Sequence, residues 1–342
     1  MIRVLIADDS VTVRGAIATV LGEDPELRIA GQATDGVEAV ALARSLRPDV
    51  ITMDVNMPRL DGLQAIERIM ADAPSRVLVI TSVSEHRQLE LSFRAMAAGA
   101  LELIAKPRPG EAMRDWGRKL AQSVRLMAEV PVVRRPRSRP PQPSKLHHAG
   151  SVDLVALVAS TGGPPALAQV LGALPADLPV PIVVAQHIAH GFLPGLVRWF
   201  QGICALSIHV GTTGELPRAG GVYLPPDSCD IEIEANGRLR TPPGATLHVP
   251  SGNRLLHSLA RVYGNRAAGF VLTGMGDDGA QGLLALRHAG GATFAQDEHS
   301  SVVFGMPQAA QAAGAAREVL SLEHVAPAIL DLCKQTRDAE WK

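Results

Sequence analysis

Cysteine is scarce, net charge is almost absent and long apolar runs are missing, and each shortage removes a class of explanation. Cys204, Cys229 and Cys333 are odd in number, far apart and without CxxC spacing. A disulfide framework or a cysteine-ligated zinc site is not expected, and a reducing compartment fits. The formal net charge is -1, so nothing global points to nucleic acid or an anionic membrane as partner. The one basic stretch, within residues 131–144, contains no aromatic residue and so lacks the stacking groups of a single-strand binder. No uncharged apolar run approaches ~20 residues, and no transmembrane helix is expected. The first apolar strand pattern starts at Met1, which leaves no room for a signal peptide. The expectation is a cytoplasmic protein.

What is present is the composition of a packed globular chain. Hydrophobic residues make up 46% and charged residues 20% of 342 residues, enough for two domains. In the first, short apolar runs alternate with helical patterns. Val4–Ala7, Arg28–Gly31, Val50–Met53, Val77–Ile80 and Leu101–Ala105 read as strands, and the stretches between them carry helical spacing. Strict βα alternation implies a parallel sheet with helices on both faces. Asp8 with Asp9, Asp54, Thr81 and Lys106 follow four separate strands, so one edge of the sheet can gather all five. Clustered carboxylates suit a hard divalent cation such as Mg2+. Asp54 could then attack a phosphoryl donor, with the metal and Lys106 offsetting charge.

These residues resemble a response-regulator receiver domain with a flavodoxin-like (βα)5 fold. The resemblance makes Asp54, within Asp54-Val55-Asn56-Met57-Pro58, the phospho-acceptor. It makes Thr81 and Lys106 the switch residues, and Asp8, Asp9, Asp54 and the Asn56 backbone carbonyl the Mg2+ ligands. It also implies a cis bond at Lys106–Pro107. Leu103 stands where many receivers carry an aromatic residue.

A Pro- and Arg-rich connector follows; its five prolines and four arginines over 131–144 cannot build a core. The expected division is a receiver over 1–125, a connector over 126–150 and a second domain over 151–342.

The second domain opens on Asp153-Leu154-Val155-Ala156-Leu157-Val158-Ala159-Ser160-Thr161-Gly162-Gly163. This reads as a buried strand, a tight turn and a helix start. Strands are also expected at Ile182–Ala185, Phe270–Leu272 and Thr293–Ala295, with a helix capped by Ser251. Over 203–240, glycines separate short runs that read as partly antiparallel strands. The class is doubly wound α/β with a mostly parallel sheet. Ser160, His187, and Asp277 or Asp278 all follow strands. A hydroxyl, an imidazole and a carboxylate are the parts of an activated nucleophile. Glycine-rich turns beside Ser160 and Asp278 expose N–H groups able to hold an oxyanion. The order serine, histidine, aspartate excludes the α/β-hydrolase arrangement, and Val158 excludes a GxSxG elbow.

Ala159-Ser160-Thr161-Gly162-Gly163, Gln186-His187 with Gly191-Phe192, Leu272–Ala280 and Val303-Phe304-Gly305-Met306-Pro307 resemble the chemotaxis protein-glutamate methylesterases of the CheB family. The resemblance covers nearly the whole chain except the connector. It implies a triad of Ser160, His187 and Asp278, with the Met275 backbone N–H in the oxyanion hole and no cofactor in this domain. It implies methyl-accepting chemoreceptors as substrate, methanol as product, deamidation of receptor glutamines, and a sensor histidine kinase as phosphodonor. An unphosphorylated receiver would then cover the catalytic crevice. No nucleic acid and no membrane insertion are implied. Val158, Val249 and Asn253 depart from the family's usual residues. The Val158 and Val249 departures motivate one alternative, a catalytically silent, phospho-regulated binding module; another is the same esterase in a non-motility chemosensory array.

Overall fold

A computed structural model describes residues 1–82, 86–107, 112–130, 152–245 and 249–339; over 86–90 and 335–339 it describes the backbone. The connector run 131–144 and His248 lie outside the described residues. The chain divides into two compact units, Met1–Ser138 and Arg139–Lys342.

In the first unit the elements are β1 (Ile2–Ala7), α1 (Val11–Gly22), β2 (Leu27–Ala33), α2 (Gly36–Leu46), β3 (Val50–Met53), α3 (Gly62–Asp72), β4 (Arg76–Thr81), α4 (His86–Ala97), β5 (Glu102–Ala105) and α5 (Met113–Glu129). The strand order is β2-β1-β3-β4-β5, all parallel, the flavodoxin-like arrangement. The chain moves outward from β1 in both directions, so β1 and β3 are neighbours at the switch point. Their residues are buried from Val4 and Val50 onward, which is why these strands read as continuous apolar runs. Helix α5 continues to Glu129, so the first residues assigned to the connector are helical.

The second unit contains β6 (Leu154–Ala159), α6 (Gly163–Gly172), β7 (Ile182–Gln186), α7 (Leu193–Ile203), β8 (Ser207–Val210), β9 (Gly221–Leu224), β10 (Glu232–Ile233), β11 (Leu239–Arg240), α8 (Gly252–Val262), β12 (Ala267–Val271), α9 (Ala280–His288), β13 (Ala292–Gln296), α10 (Met306–Ala312), β14 (Glu318–Leu320) and α11 (Leu322–Ala339). Seven strands form a parallel sheet in the order β14-β13-β12-β6-β7-β9-β8. From β6 the chain builds one side through β7 and then returns to build the other through β12. Strand β6 is thus the switch point, and its carboxyl end opens on a crevice. All of β6, β7 and β12 is buried. Each wholly buried Leu or Val contributes about 1.5–3 kcal/mol, against a net value near 1 kcal/mol for a hydrogen bond. Apolar burial therefore decides which strands take the centre.

The glycine-punctuated stretch 203–240 matches its sequence expectation of short, partly antiparallel strands in part. Strands β8 and β9 are parallel members of the main sheet, and only β10 and β11 pair antiparallel. Val222-Tyr223-Leu224 is buried on both faces, and Val222 and Tyr223 sit in register with Ile182 and Val183. Its short length hid an interior strand. Among the described residues no helix is long and apolar enough to cross a membrane.

Candidate active site

The first unit gathers its expected residues at one sheet edge. Asp8 and Asp54 follow β1 and β3 and are buried, while Asp9 is exposed. Carboxylate oxygens of the three lie within 4.8 Å of one another. Lys106 Nζ is 2.8 Å from Asp8 Oδ2 and 2.7 Å from Asp54 Oδ2. The Ser10 N–H donates to Asp8 Oδ1 at 2.9 Å. Three carboxylates against one ammonium leave the cluster anionic. Burial pushes the Asp54 carboxyl above its ordinary value, and the hydrogen bond from Lys106 only partly offsets this. For Lys106, burial pulls the ammonium down, but its bonds to Asp54 and Asp8 outweigh that and raise it. The Lys106 direction expresses the excess of negative charge around it, and an all-oxygen donor set with that excess fits a hard divalent cation.

Thr81 is buried at the end of β4, and its carbonyl accepts the Lys106 N–H at 2.9 Å. Asn56 lies in the loop after Asp54, and its backbone N–H bonds the Asp54 carboxylate. Leu103 packs half-buried against the sheet's core cluster. The Lys106–Pro107 bond is not cis; among the described residues the cis bond is Val249–Pro250. The lysine reaches both carboxylates without it.

In the second unit Ser160, His187 and Asp278 come from three neighbouring strands. Ala159 and Gln186 are register partners on β6 and β7, so the next residues, Ser160 and His187, stand side by side at adjacent strand ends. The His187 N–H donates to the Ala159 carbonyl at 3.0 Å, and the Ser160 N–H to the Thr273 carbonyl at 3.0 Å beyond β12. His187 Nε2 is 2.8 Å from Asp278 Oδ2. Asp278 is 5% exposed, whereas Asp277 is exposed to solvent. An ionised carboxylate only accepts, so the imidazole proton facing Asp278 sits on Nε2 and leaves Nδ1 as the basic nitrogen.

The Asp278 carboxylate lies on the N-terminus of α8. The Gly252 N–H reaches Oδ2 at 2.6 Å; the Asn253 N–H and Ser251 Oγ reach Oδ1 at 2.9 and 3.2 Å. The positive end of the helix dipole adds to these bonds. Burial pushes the Asp278 carboxyl up, but the bonds from His187, Asn253 and Gly252 prevail and hold it below its ordinary value. Sequence reading assigned Ser251 only a capping role, which it also fills by accepting the Arg254 N–H. Nothing local in the sequence announces that this helix start faces Asp278.

A second device missed at the sequence level is Gln186. Its Nε2 donates to the carbonyls of Ser160 and His187, each at 2.8 Å. One buried amide thus ties the backbones of the hydroxyl and imidazole residues together. Gly163 makes room for it: a methyl group there would overlap Gln186 Oε1 and come within 2.8 Å of Ala159 Cβ. The turn bearing Met275 lies against Ser160, since a Cβ at Gly274 would sit 2.7 Å from Ser160 Cβ. The N–H groups of Gly305 and Met306 brace it through the Gly274 carbonyl at 3.0 and 2.9 Å. The departures resolve unequally. Val158 is wholly buried, and its side chain fills the space left by Gly252. Val249 lines a small pocket with Ile188, Leu193, Leu196 and Asp227. Asn253 Oδ1 accepts the Gly282 N–H at 2.8 Å, joining α8 to α9.

The family described as CheB methylesterase matches residues 155–329, and the response regulator receiver domain matches residues 4–116. The chain belongs to the CheB methylesterase family. It is 50% identical to a protein-glutamate methylesterase/protein-glutamine glutaminase of Myxococcus xanthus, over 97% of this chain and 94% of that one. It is 44% identical to a namesake of Anaeromyxobacter dehalogenans, over 95% and 97%. The crystal structure of the Thermotoga maritima CheB methylesterase catalytic domain matches with a TM-score of 0.49 at 29% identity, covering 54% of this chain and 100% of that one. The chain is accordingly a methylesterase with a receiver domain.

Within such a methylesterase the Gly163–Gln186 contact has a measurable consequence. Gly163→Ala is expected to push the Gln186 amide off both carbonyls and lower ester turnover about 100-fold, since an ångström of misplacement costs that much. Methanol release by the variant checks this; turnover within about threefold of wild type would show that the amide link does not matter.

Proposed function

We propose that the chain is a phosphorylation-activated hydrolase that removes methyl esters from glutamate side chains of methyl-accepting chemoreceptors. The observation that carries this is the His187–Asp278 pair, anchored on α8 at the sheet edge where Ser160 follows β6. Ser160 Oγ attacks the ester carbonyl while His187 takes its proton through Nδ1. The tetrahedral oxyanion draws on the Met275 N–H. Its collapse breaks the bond to methoxide, which leaves as methanol with the proton from His187. Water then attacks the glutamyl-serine ester, again giving its proton to His187, and glutamate and Ser160 are restored. The same steps on a glutamine side chain release ammonia. The burial of Val158 removes one motive for a silent binding module.

Control rests with the first unit. Asp54 forms a P–O bond as the donor's bond to phosphorus breaks, the donor being a sensor histidine kinase. Asp8, Asp9, Asp54 and the Asn56 carbonyl would hold Mg2+, which when bound supplies positive charge against the phosphoryl oxygens. Lys106 stabilises the new phosphate, and Thr81 responds to it. The proposed division is receiver 1–125, connector 126–150 and methylesterase 151–342. The reading places the protein in the cytoplasm with its kinase.

The test is methanol release from membranes bearing methylated chemoreceptors, with and without a small phosphodonor and Mg2+. Release is expected to rise with phosphodonor in wild type, and Asp54→Asn is expected not to respond. Omitting Mg2+ should have the same effect. An undiminished response in Asp54→Asn would sink the control scheme.

A further inference from the structure

The mechanism leaves unused one charge network built on two buried carboxylates, Asp230 and Glu232. Asp230 is wholly buried; its Oδ2 lies 2.8 Å from Arg254 Nη1, and its Oδ1 accepts the Ser251 N–H at 2.7 Å. Arg254 also holds Glu232, from Nε to Oε1 at 2.7 Å and from Nη2 at 2.6 Å. Arg240 Nη1 approaches Glu232 Oε2 at 3.6 Å. Taking such ions out of water costs about what their attraction returns, so stability is a weak reason for their presence. Their geometry offers a stronger one. Asp230 fixes the peptide at Ser251, and Arg254 is fixed to Asp230 and Glu232. Those two anchors bracket the first turn of α8. Between them lie the groups that grip Asp278: Ser251 Oγ, the Gly252 N–H and the Asn253 N–H.

We propose that Asp230 and Arg254 are positioning residues for ester hydrolysis, clamping the first turn of α8 so that its donors hold the Asp278 carboxylate against His187. Neither touches substrate; both act through Asp278. The inference rests on the triad reading above. A clamp on this turn would also fix the orientation of a carboxylate that a glycine-rich turn carries. Asp278 precedes Gly279, which has a φ of +93°, and apart from His187 the donors to its carboxylate come from the start of α8. The donors that do so belong to a helix whose placement the ion pairs set.

The test uses the full chain and a fluorophosphonate, which reports serine nucleophilicity without any receptor. Wild type is expected to be labelled at Ser160, located by mass; labelling elsewhere or nowhere would overturn the triad reading and the clamp with it. Asp230→Asn and Arg254→Met are each expected to slow Ser160 labelling about 10- to 100-fold, and Arg254→Lys less. In an Asp278→Asn background the same changes are expected to slow it less than about twofold, because residues acting through one group are not additive. A merely structural role predicts the same factor in both backgrounds. Labelling of wild type at Ser160 with equal factors in the two backgrounds overturns the clamp alone. So does unchanged labelling in folded single variants. Should a single variant fail to fold, Asp230→Asn combined with Arg254→Met removes both charges while keeping most of the side-chain volume and takes its place in the cycle.

Discussion

Ser160→Ala is expected to lower methanol release by about 10^6-fold while leaving the fold intact. The loss follows from removing the only atom that forms the acyl bond. The retained fold follows from the structure, because the hydrogen bonds that hold residue 160 are made by its backbone N–H and carbonyl. Its N–H donates to Thr273, and its carbonyl accepts from Gly163 and from the Gln186 amide. Alanine keeps every one of them. The check is methanol release from methylated receptor membranes beside thermal unfolding of the same preparation. A variant that folds and keeps more than about a tenth of the activity would remove Ser160 from the chemistry.

Asp278→Asn is expected to cost about 10^4-fold in kcat with little change in KM. The carboxylate accepts from His187, Gly252, Asn253 and Ser251. An amide has one accepting oxygen, so its NH2 must face donors on one side. If it faces Oδ2's partners, it opposes the His187 proton and enforces the wrong tautomer. If it faces the other side, it opposes the Asn253 N–H. Stability should carry a pH signature as well. Burial raises the Asp278 carboxyl, but its hydrogen bonds outweigh this and leave it depressed. Its stabilisation is therefore full above the ordinary carboxylate value of about 4 and is lost as pH falls through the lower folded value. The gap between wild type and variant, measured by thermal unfolding, is expected to be widest near neutrality and to close in acid. Should Asp277→Asn produce the kinetic loss instead, the roles of the two aspartates are reversed.

Much of this site is legible in the chain because its residues follow recognisable strands. Ser160 and His187 each end a short apolar run, and parallel strands present their carboxyl ends at one edge. Asp8, Asp54 and Lys106 are legible for the same reason. The choice of Asp278 over Asp277 is not local. Adjacent residues in a turn point in different directions, and α8 arrives over only one of them. Gln186 is visible as a residue but not as a bridge, since its two carbonyl partners depend on the pairing of β6 with β7. The 203–240 stretch shows the converse failure: β9 is too short for periodicity to distinguish an interior strand from an excursion.

By itself the sequence determined two α/β units, because alternating apolar runs and helical spacings leave few ways to bury both faces of a parallel sheet. It also determined which hydroxyl, imidazole and carboxylate residues stand at strand ends. Only the tertiary structure decided that β7, β6 and β12 are neighbours, that α8 begins over Asp278, and that Asp230 and Arg254 bracket that beginning. Strand ends are set by local apolar periodicity, whereas strand order and helix placement are set by contacts between residues far apart in the chain.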